Sequence, residues 1–531
     1  MKRIALGMLL GVGVCSSCTV GPDYRPPRVN AGRTFSELTP STQPSQPTER
    51  PVEITQWWAT FHDPELNSLI DRSVRANPSL RQAGLRILEA RENRIIAGAG
   101  EWPTVNVGGG YQYARGSKNI EFPLSAFGGG SGKNANGKQQ PSRLDQPAGP
   151  TNNGASSGAT GGAASSGAPL SPLGSGGLPG VNTQIWQAGF DASWEVDIFG
   201  GVRRSIEAAN ADFQAAVEDR RDLLITLYSE IALNYIELRG YQREIEIARE
   251  NLQSQQQTLE LTRTRFQAGV TTQLDVARAQ AQVATTAATI PVLDLEVHQT
   301  IHRMSVLLGE HPGALIEELA AARQIPGTPP ELPVGMPAEL LRRRPDIRRA
   351  ERELAAATAR VGVATAQLYP RFTLIGAFGF DASKITHIAD YSSHYYAIGP
   401  GISWPIFTAG RIRAAIRVQN AQQEQALSAY EQTVLNALRD VEDALVGYSR
   451  DRMRRESLAE AVSANHTAVD LAQQQYAQGV VDFLTVLEAQ RSLYGAEDQL
   501  AQVDARISTD VVALYKALGG GWEVESAAAG R

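Results

Sequence analysis

Steps of seven residues from Val217 land on Leu224, Ile231, Leu238, Ile245, Leu252, Leu259 and Phe266, so every position in the series is apolar. That spacing predicts one very long helix wound against others, running from Arg203 to Gln267 and on the order of 100 Å long at ~1.5 Å per residue. Asn234, Gln255 and Thr262 fall between the apolar positions, which makes the seam mixed, and Arg239, Glu244, Arg249 and Glu250 read as charged flanks on a wetted surface. A coiled-coil stalk is the simplest structure with these properties. A second series, Leu427, Val434, Val441, Tyr448, Val462, Val469 and Tyr476, keeps the same step and is broken only at Arg455.

Four other segments alternate with period two. In Thr104 to Tyr113 the apolar face is Val105, Val107, Tyr111 and Tyr113, opposite Asn106, Gly108, Gly110 and Gln112. In Gln184 to Trp194 it is Trp186, Ala188, Phe190, Ala192 and Trp194; then come Phe372, Leu374, Phe378 and Phe380, and finally Tyr396, Ile398, Ile402 and Trp404. Each segment has about the ten residues a tilted strand needs to cross a bilayer, with aromatics at several ends as an interfacial girdle requires. A pair of hairpins on a soluble sandwich is the alternative. No apolar run in the mature chain reaches the ~20 residues of a transmembrane helix, so a span has to be a closed barrel, and four strands are too few to close one. Two copies would give a barrel filled by side chains, whereas three would give an open lumen, so a homotrimer is the economical reading. Gly108, Gly110, Gly399 and Gly401 on the inward face would leave that lumen roomy, with easier strand bending as the alternative reason for them.

The chain also repeats itself. Asn77-Pro78-Ser79-Leu80-Arg81 matches Arg344-Pro345-Asp346-Ile347-Arg348 and Trp102-Pro103 matches Tyr369-Pro370, both at an offset of 267. Ser193-Trp194 matches Ser403-Trp404, Phe266-Gln267-Ala268-Gly269-Val270 matches Tyr476-Ala477-Gln478-Gly479-Val480, and Leu308-Gly309 matches Leu518-Gly519, all at 210. The first copy therefore carries 57 extra residues, visible as the Gly, Ser, Ala, Asn and Pro tract from Gly116 to Gly180. Such a composition cannot repay its ordering entropy and predicts a disordered or loosely held loop. Each copy reads as helix, strand, loop, strand, long helix, turn, helix. Gly269 and Gly479 mark the turns at the tips, where each long helix ends and the chain reverses.

Composition narrows the class further. Lys plus Arg is 50 against 56 for Asp plus Glu, a net charge of -6 that gives no reason to invoke nucleic acid. Met1-Lys2-Arg3 followed by the apolar run Ile4 to Val14 has the parts of a secretory signal, too short to remain as a membrane span. Ser16 and Ser17 before Cys18 fit a bacterial lipobox, although Cys15 stands where Leu is usual. Cleavage before Cys18 would remove Cys15 and leave Cys18 acylated, with no free thiol and no disulfide; an ordinary signal with a stray cysteine pair is the alternative. A multiply acylated cysteine holds a membrane firmly, and Thr19 in place of Asp favours outer-membrane lipid. The domain reading is 1–17 lipoprotein signal peptide, 18–56 acylated Pro-rich extended segment, 57–330 first repeat with the low-complexity loop 116–182, 331–522 second repeat, and 523–531 disordered tail.

Catalytic motifs fail when tested. Gly132-Lys133 lacks the earlier glycine of a phosphate loop, since that position is Phe127, and Asn134 follows. His298 and His302 stand four apart on a helix, but Gln299 replaces the Glu of a zinc-protease pattern, so ordinary surface histidines are expected. No Ser, His and Asp set has a hydrolase setting. The sequence predicts no enzyme, no cofactor and no metal site.

Thr19-Val20-Gly21-Pro22-Asp23-Tyr24, Trp57-Trp58 with Phe61-His62-Asp63-Pro64-Glu65-Leu66, Arg343-Arg344-Pro345-Asp346-Ile347, the turn Gly479 to Gln490, and Ala517-Leu518-Gly519-Gly520-Gly521-Trp522 together resemble the TolC-like outer-membrane factors. The closer resemblance is to the NodT-type lipoproteins of resistance-nodulation-division efflux systems, and it covers nearly the whole mature chain except the insertion. It implies a mixed α/β membrane protein: a trimeric channel-tunnel with a twelve-stranded transmembrane β-barrel, four strands per protomer, and a long periplasmic α-helical coiled-coil barrel. It also implies a periplasmic adaptor, an inner-membrane efflux transporter that supplies the energy, and a passive exit duct for small molecules such as drugs. A duct for type I protein secretion is the rival within the class, and a periplasmic coiled-coil adaptor or scaffold the rival outside it. The resemblance further implies a periplasmic gate just past the Gly turns. Glu488 matches one of the usual acids, Thr485 stands where another is common, Asp482 lies nearby, Asp275 holds the tip of the first copy, and Val481 replaces the base with which Asp275 would pair; solvated turn acids at Asp275, Asp482 and Glu488 are the alternative.

Overall fold

The computed structural model describes residues 19–27, 35, 55–115, 182–328 and 342–523, together with the backbone of 47–48 and 332–333. Cys18, all but the last residue of the 116–182 insertion, and the tail beyond Glu523 lie outside the described residues. The chain divides into two compact units, one of residues 1–100, 197–369 and 405–531 and the other of residues 101–196 and 370–404.

In the larger unit, α1 (Pro64–Ala76) and α2 (Pro78–Ala99) each begin on an N-cap side chain followed by proline. Asp63 accepts from the Glu65 and Leu66 amides, and Asn77 from those of Ser79 and Leu80. Proline at the first helical position has no amide to lose, so each sequence fixes its own start. The long helix α3 (Gly201–Gln267) returns as α4 (Gln273–Leu307); after α5 (Pro345–Ala366), α6 (Arg411–Gln478) returns as α7 (Phe483–Ala517). At 67 and 68 residues, α3 and α6 are each about 100 Å long.

The seven-residue seam of α3 is buried at Leu224, Ile231, Leu238, Ile245 and Leu259, half-buried at Val217 and Leu252, and exposed at Phe266. Its middle joins a core with Trp57, Trp58, Phe61 and the end of α7, where Trp57 stacks on Tyr515 at 5.5 Å and Trp58 lies 4.6 Å from Tyr228. A smaller cluster of Leu259, Val276, Tyr476, Phe483 and Val486 closes the other end.

One charged flank is placed otherwise than its sequence context predicts. Arg249 and Glu250 are exposed and Glu244 is half-buried, but Arg239 is fully buried. Its guanidinium donates to Glu65 at 2.5 Å, Gln242 Oε1 at 2.7 Å and the Ala321 carbonyl at 2.8 Å, and lies over the Tyr235 ring at 4.7 Å. Glu65 comes from α1, too distant in sequence for any periodicity of α3 to reveal it. Arg455, the break in the second seam, is exposed and pairs with Asp504 at 2.5 Å.

The smaller unit is a four-stranded antiparallel sheet in the order β1 (Thr104–Arg115), β2 (Asn182–Val196), β3 (Arg371–Ala382) and β4 (His394–Ser403). Trp404, expected on the last strand, follows its end.

Candidate functional site: sheet faces and hairpin tips

Register brings the predicted apolar faces together. Val107 pairs with Phe190, which pairs with Phe378, which pairs with Tyr396, so four strands contribute one continuous row to a single face. Tyr111 and Trp186 are likewise opposite, with ring centroids 4.3 Å apart. A one-residue slip would send every one of these side chains to the other face. The opposite face carries Asn106, which donates to Asp191 at 3.0 Å, and Gln187, which pairs with Asp381. Gly108 and Gly401 lie on this polar face through their partners Gly189 and Thr373, as Gly110 and Gly399 do through Gln187 and Ile375. Val107, Tyr396 and Ile398 are largely exposed on the apolar face, an arrangement that suits lipid and not water. Among the described residues no helix is long and apolar enough to cross a membrane. Among the described residues the outer edges of β1 and β4 have no strand partner in this sheet.

At the helical tips, Gly269 and Gly479 have φ of 73° and 77°, the left-handed conformation that ends a helix at little cost only for glycine. The residues just beyond cap the returning helices. Thr272 is the N-cap of α4 and Asp275 its third residue; the Asp275 carboxylate accepts from the Thr271 and Thr272 hydroxyls at 2.7 Å each and from the Thr272 amide at 3.2 Å. In the second repeat the two residue types exchange places. Asp482 is the N-cap of α7 and accepts from the Thr485 amide at 3.1 Å and the Thr485 hydroxyl at 2.8 Å. Each turn thus keeps one Asp and one Thr. Partial burial works against ionisation of Asp275, but the Thr272 and Thr271 hydroxyls outweigh it and hold its carboxyl below the usual range. The hydrogen bonds from Thr485 do the same for Asp482. Glu488, two residues beyond Val486 on α7, is exposed.

The tip also holds a base that its sequence context does not single out. Arg265, in the last turn of α3, donates to the Tyr476 carbonyl at 2.7 Å and the Ala477 carbonyl at 3.1 Å, and its guanidinium lies 4.7 Å from the centre of the Tyr476 ring. A cation from one long helix therefore satisfies carbonyls at the end of the other, where the helix dipole is negative. The only sequence signal was a basic residue four before a turn glycine.

The residue that follows Cys18 is also fixed. Thr19 packs against Gly200, the residue that opens α3, and the Val20 amide donates to the Phe199 carbonyl at 3.1 Å. Asp23 pairs with Arg204 at 2.6 Å, which lowers its carboxyl, and the Tyr24 hydroxyl donates to Glu351 at 3.1 Å. Gly21 lies so close to Gly362 that a methyl on Gly21 would sit 2.5 Å from the Gly362 Cα. His298 lies on α4 with its Nδ1 2.9 Å from the Asp294 carbonyl in the same helix. Among the described residues no three His, Cys, Asp or Glu side chains are placed to hold a metal ion.

Membrane-length strands with one lipid-suited and one polar face, together with paired helices of about 100 Å, define a protomer of an outer-membrane channel-tunnel. The comparisons with known proteins carry this to a family. The family model described as outer membrane efflux protein matches residues 152–310 and 336–520. The pyoverdine export outer membrane protein OpmQ of Pseudomonas putida is 33% identical over 471 residues, 89% of either chain. Nodulation protein T of Rhizobium leguminosarum bv. viciae is 30% identical over 520 residues, 97% of this chain and 93% of that one. The solved structure of the outer-membrane channel OprN superposes with a TM-score of 0.79 at 35% identity, covering 95% of this chain and all of that chain. The chain belongs to the outer membrane efflux protein family. It is an outer-membrane component of an efflux system, located in the outer membrane and extending into the periplasm.

Proposed function

We propose that three copies of this chain close a twelve-stranded barrel and form the passive exit duct of a tripartite efflux pump for small molecules. A periplasmic adaptor would join the duct to an inner-membrane transporter, and the transporter would supply the energy while the duct does no chemistry. The observation that carries this reading is the sheet: four membrane-length strands whose apolar residues fall in register on one face, with both outer edges left to pair. Four strands cannot close a barrel, whereas twelve leave a lumen onto which the polar face would open. The acyl chains on Cys18 would add an anchor, and the docking of Thr19 against Gly200 supports an attachment beside the first residues of α3.

The gate belongs to the same proposal. Glu488, with Asp482, Asp275 and Thr485 around the turns at Gly269 and Gly479, would surround the axis in three copies and attract cations. Asp275 and Asp482 are engaged in their own caps, which leaves Glu488 as the acid free to act on the pore. Reconstitution in planar bilayers tests both parts. The detergent-extracted protein should open pores of reproducible conductance, and Glu488→Ala should raise that conductance or weaken its block by divalent cations. Release from membranes without detergent would defeat the duct, and wild-type behaviour of Glu488→Ala would remove Glu488 from the gate.

A further inference from the structure

The break in the second seven-residue series marks a cavity that the duct does not use. Arg455 stands 210 residues after Ile245, and Arg452 the same distance after Gln242. In the first repeat both places are structural: Ile245 is buried in the core, and Gln242 donates to the Leu319 carbonyl at 2.8 Å. In the second repeat they line a cavity of about 790 Å³ between α3, α6, α7 and the extended segment 322–328, a size that suits a small organic ligand. The arginines therefore do not copy a packing need that the first repeat also has.

The cavity has an apolar floor and a basic rim. Tyr448 and Ile507 are each 6% exposed, and Pro326 is buried. The Ser508 hydroxyl donates to the Pro326 carbonyl at 2.9 Å and Arg239 to that of Ala321 at 2.8 Å, so the wall formed by the segment is held against α7 and α3. Arg243, Arg323, Arg452 and Arg455 line the cavity against only two acids, Glu246 and Asp504. Arg243 is paired with Glu246 at 2.6 Å and Arg455 with Asp504 at 2.5 Å, while Arg323 shares Glu65, at 3.1 Å, with the buried Arg239. Arg452 is left over. It is half-buried, its guanidinium lies 5.8 Å from the centre of the Tyr448 ring, and among the described residues no carboxylate pairs with it. A guanidinium beside an aromatic face keeps its N–H donors for an anion, and a buried floor beneath it strengthens that pairing. Since the whole chain carries a net charge of -6, the positive surplus here is local.

We propose that this cavity binds an amphipathic organic anion, its carboxylate or phosphate held by Arg452 and its apolar body resting on Tyr448, Ile507 and Pro326. Arg323 and Arg455 supply further positive charge at the rim, and their own carboxylate partners keep them from competing for the ligand as strongly as Arg452 does. A bare inorganic anion would leave the apolar floor unused, and a neutral apolar molecule would leave the Arg452 cation unpaired. One chain supplies every lining residue, so the site goes beyond the duct and does not depend on the number of copies.

Photolabelling tests it in the full-length lipoprotein in a non-ionic detergent. The probes are 4-benzoylbenzoate, 4-benzoylphenyl phosphate and uncharged benzophenone, with mass spectrometry locating the label. At least one anionic probe should saturate the peptides that carry Tyr448 and Ile507, and whichever does so at the lower concentration identifies the preferred head group. Arg452→Gln should raise the half-labelling concentration about tenfold, the loss of one charge-assisted pairing, whereas Arg450→Gln, exposed on the same helix, should label as the wild type does. Circular dichroism on each variant shows that the helices are retained. Equal labelling of these peptides by benzophenone reduces the cavity to a greasy cleft and overturns the proposal, as does an Arg452→Gln variant that labels like the wild type. Pore conductance in planar bilayers reads the duct separately: intact pores without saturable labelling overturn the anion site alone, and saturable labelling without pores overturns the duct alone.

Discussion

Arg239 allows the packing argument to be tested with a magnitude. Its fully buried guanidinium has two carbonyl-type partners besides Glu65, and Glu65 in turn accepts from the Tyr235 hydroxyl at 3.0 Å and from Arg323 at 3.1 Å. Arg239→Met keeps the apolar stem and removes the charge, leaving Glu65 buried against α3 with only Arg323 to neutralise it. Breaking a buried pair by removing one partner costs about 3–5 kcal/mol, and the surviving Arg323 contact argues for the lower end, ~3 kcal/mol. In a helical unit of this size that corresponds to a fall in Tm of roughly 5 °C or more. Far-ultraviolet circular dichroism in detergent would follow it, with exposed Arg249→Met as the control that should stay within ~0.5 kcal/mol of the wild type. Glu65→Gln with Arg239→Met should then lose less than the two single changes summed, by about 2 kcal/mol, because the second change removes a charge already deprived of its partner. If Arg239→Met melts where Arg249→Met does, or the double variant is additive, the ion pair does not hold α1 on α3.

Three further outcomes are expected. Burial, reinforced by Asp498 and opposed by a hydrogen bond with Gln502, pushes the Glu244 carboxyl up to about 7, so the folded state binds more protons than the unfolded one between the ordinary carboxylate range and pH 7, and stability falls as pH rises through that window. Glu244→Gln should therefore stabilise the protein at pH 8, by about 1–2 kcal/mol after allowance for partial exposure, and have little effect below pH 5; a benefit independent of pH would contradict this. Arg265→Gln should leave the carbonyls of Tyr476 and Ala477 without their cation and speed amide exchange through Gln475 to Gly479, while residues near Leu224 keep their protection. Gly362→Ala should place a methyl within 2.8 Å of Arg204, whose guanidinium holds the Val20 carbonyl and Asp23, loosening the Thr19 to Arg25 strap, so limited proteolysis should cut there in the variant and not in the wild type.

Much of the fold was legible because each element announces itself locally. Asp63-Pro64 and Asn77-Pro78 cap their own helices, Gly269 and Gly479 end theirs, and period-two alternation set the four strand faces before register showed them aligned. The tips were harder to read. Asp275 and Asp482 stand out in sequence as acids near a turn, but their carboxylates are occupied by Thr272 and Thr485, and the exchange of Asp and Thr between repeats becomes meaningful only once both caps are seen. Arg265 was not distinguishable from any other arginine, because its role depends on carbonyls that belong to the other long helix.

The sequence by itself determined the helices, the strands, their faces and the repeat that doubles them, since periodicity, caps and turn glycines act over a few residues at a time. Tertiary structure alone decided which charges are buried, which acids are free and which faces remain uncovered. Arg239 reads as a wetted flank until Glu65 is brought beside it from α1, and Leu88 with Val418 reads as ordinary apolar surface until Ala355 and Ala208 are seen buried at the matching places. The free energy of a charge or an apolar side chain is set by its surroundings, and those come from residues far away in the chain.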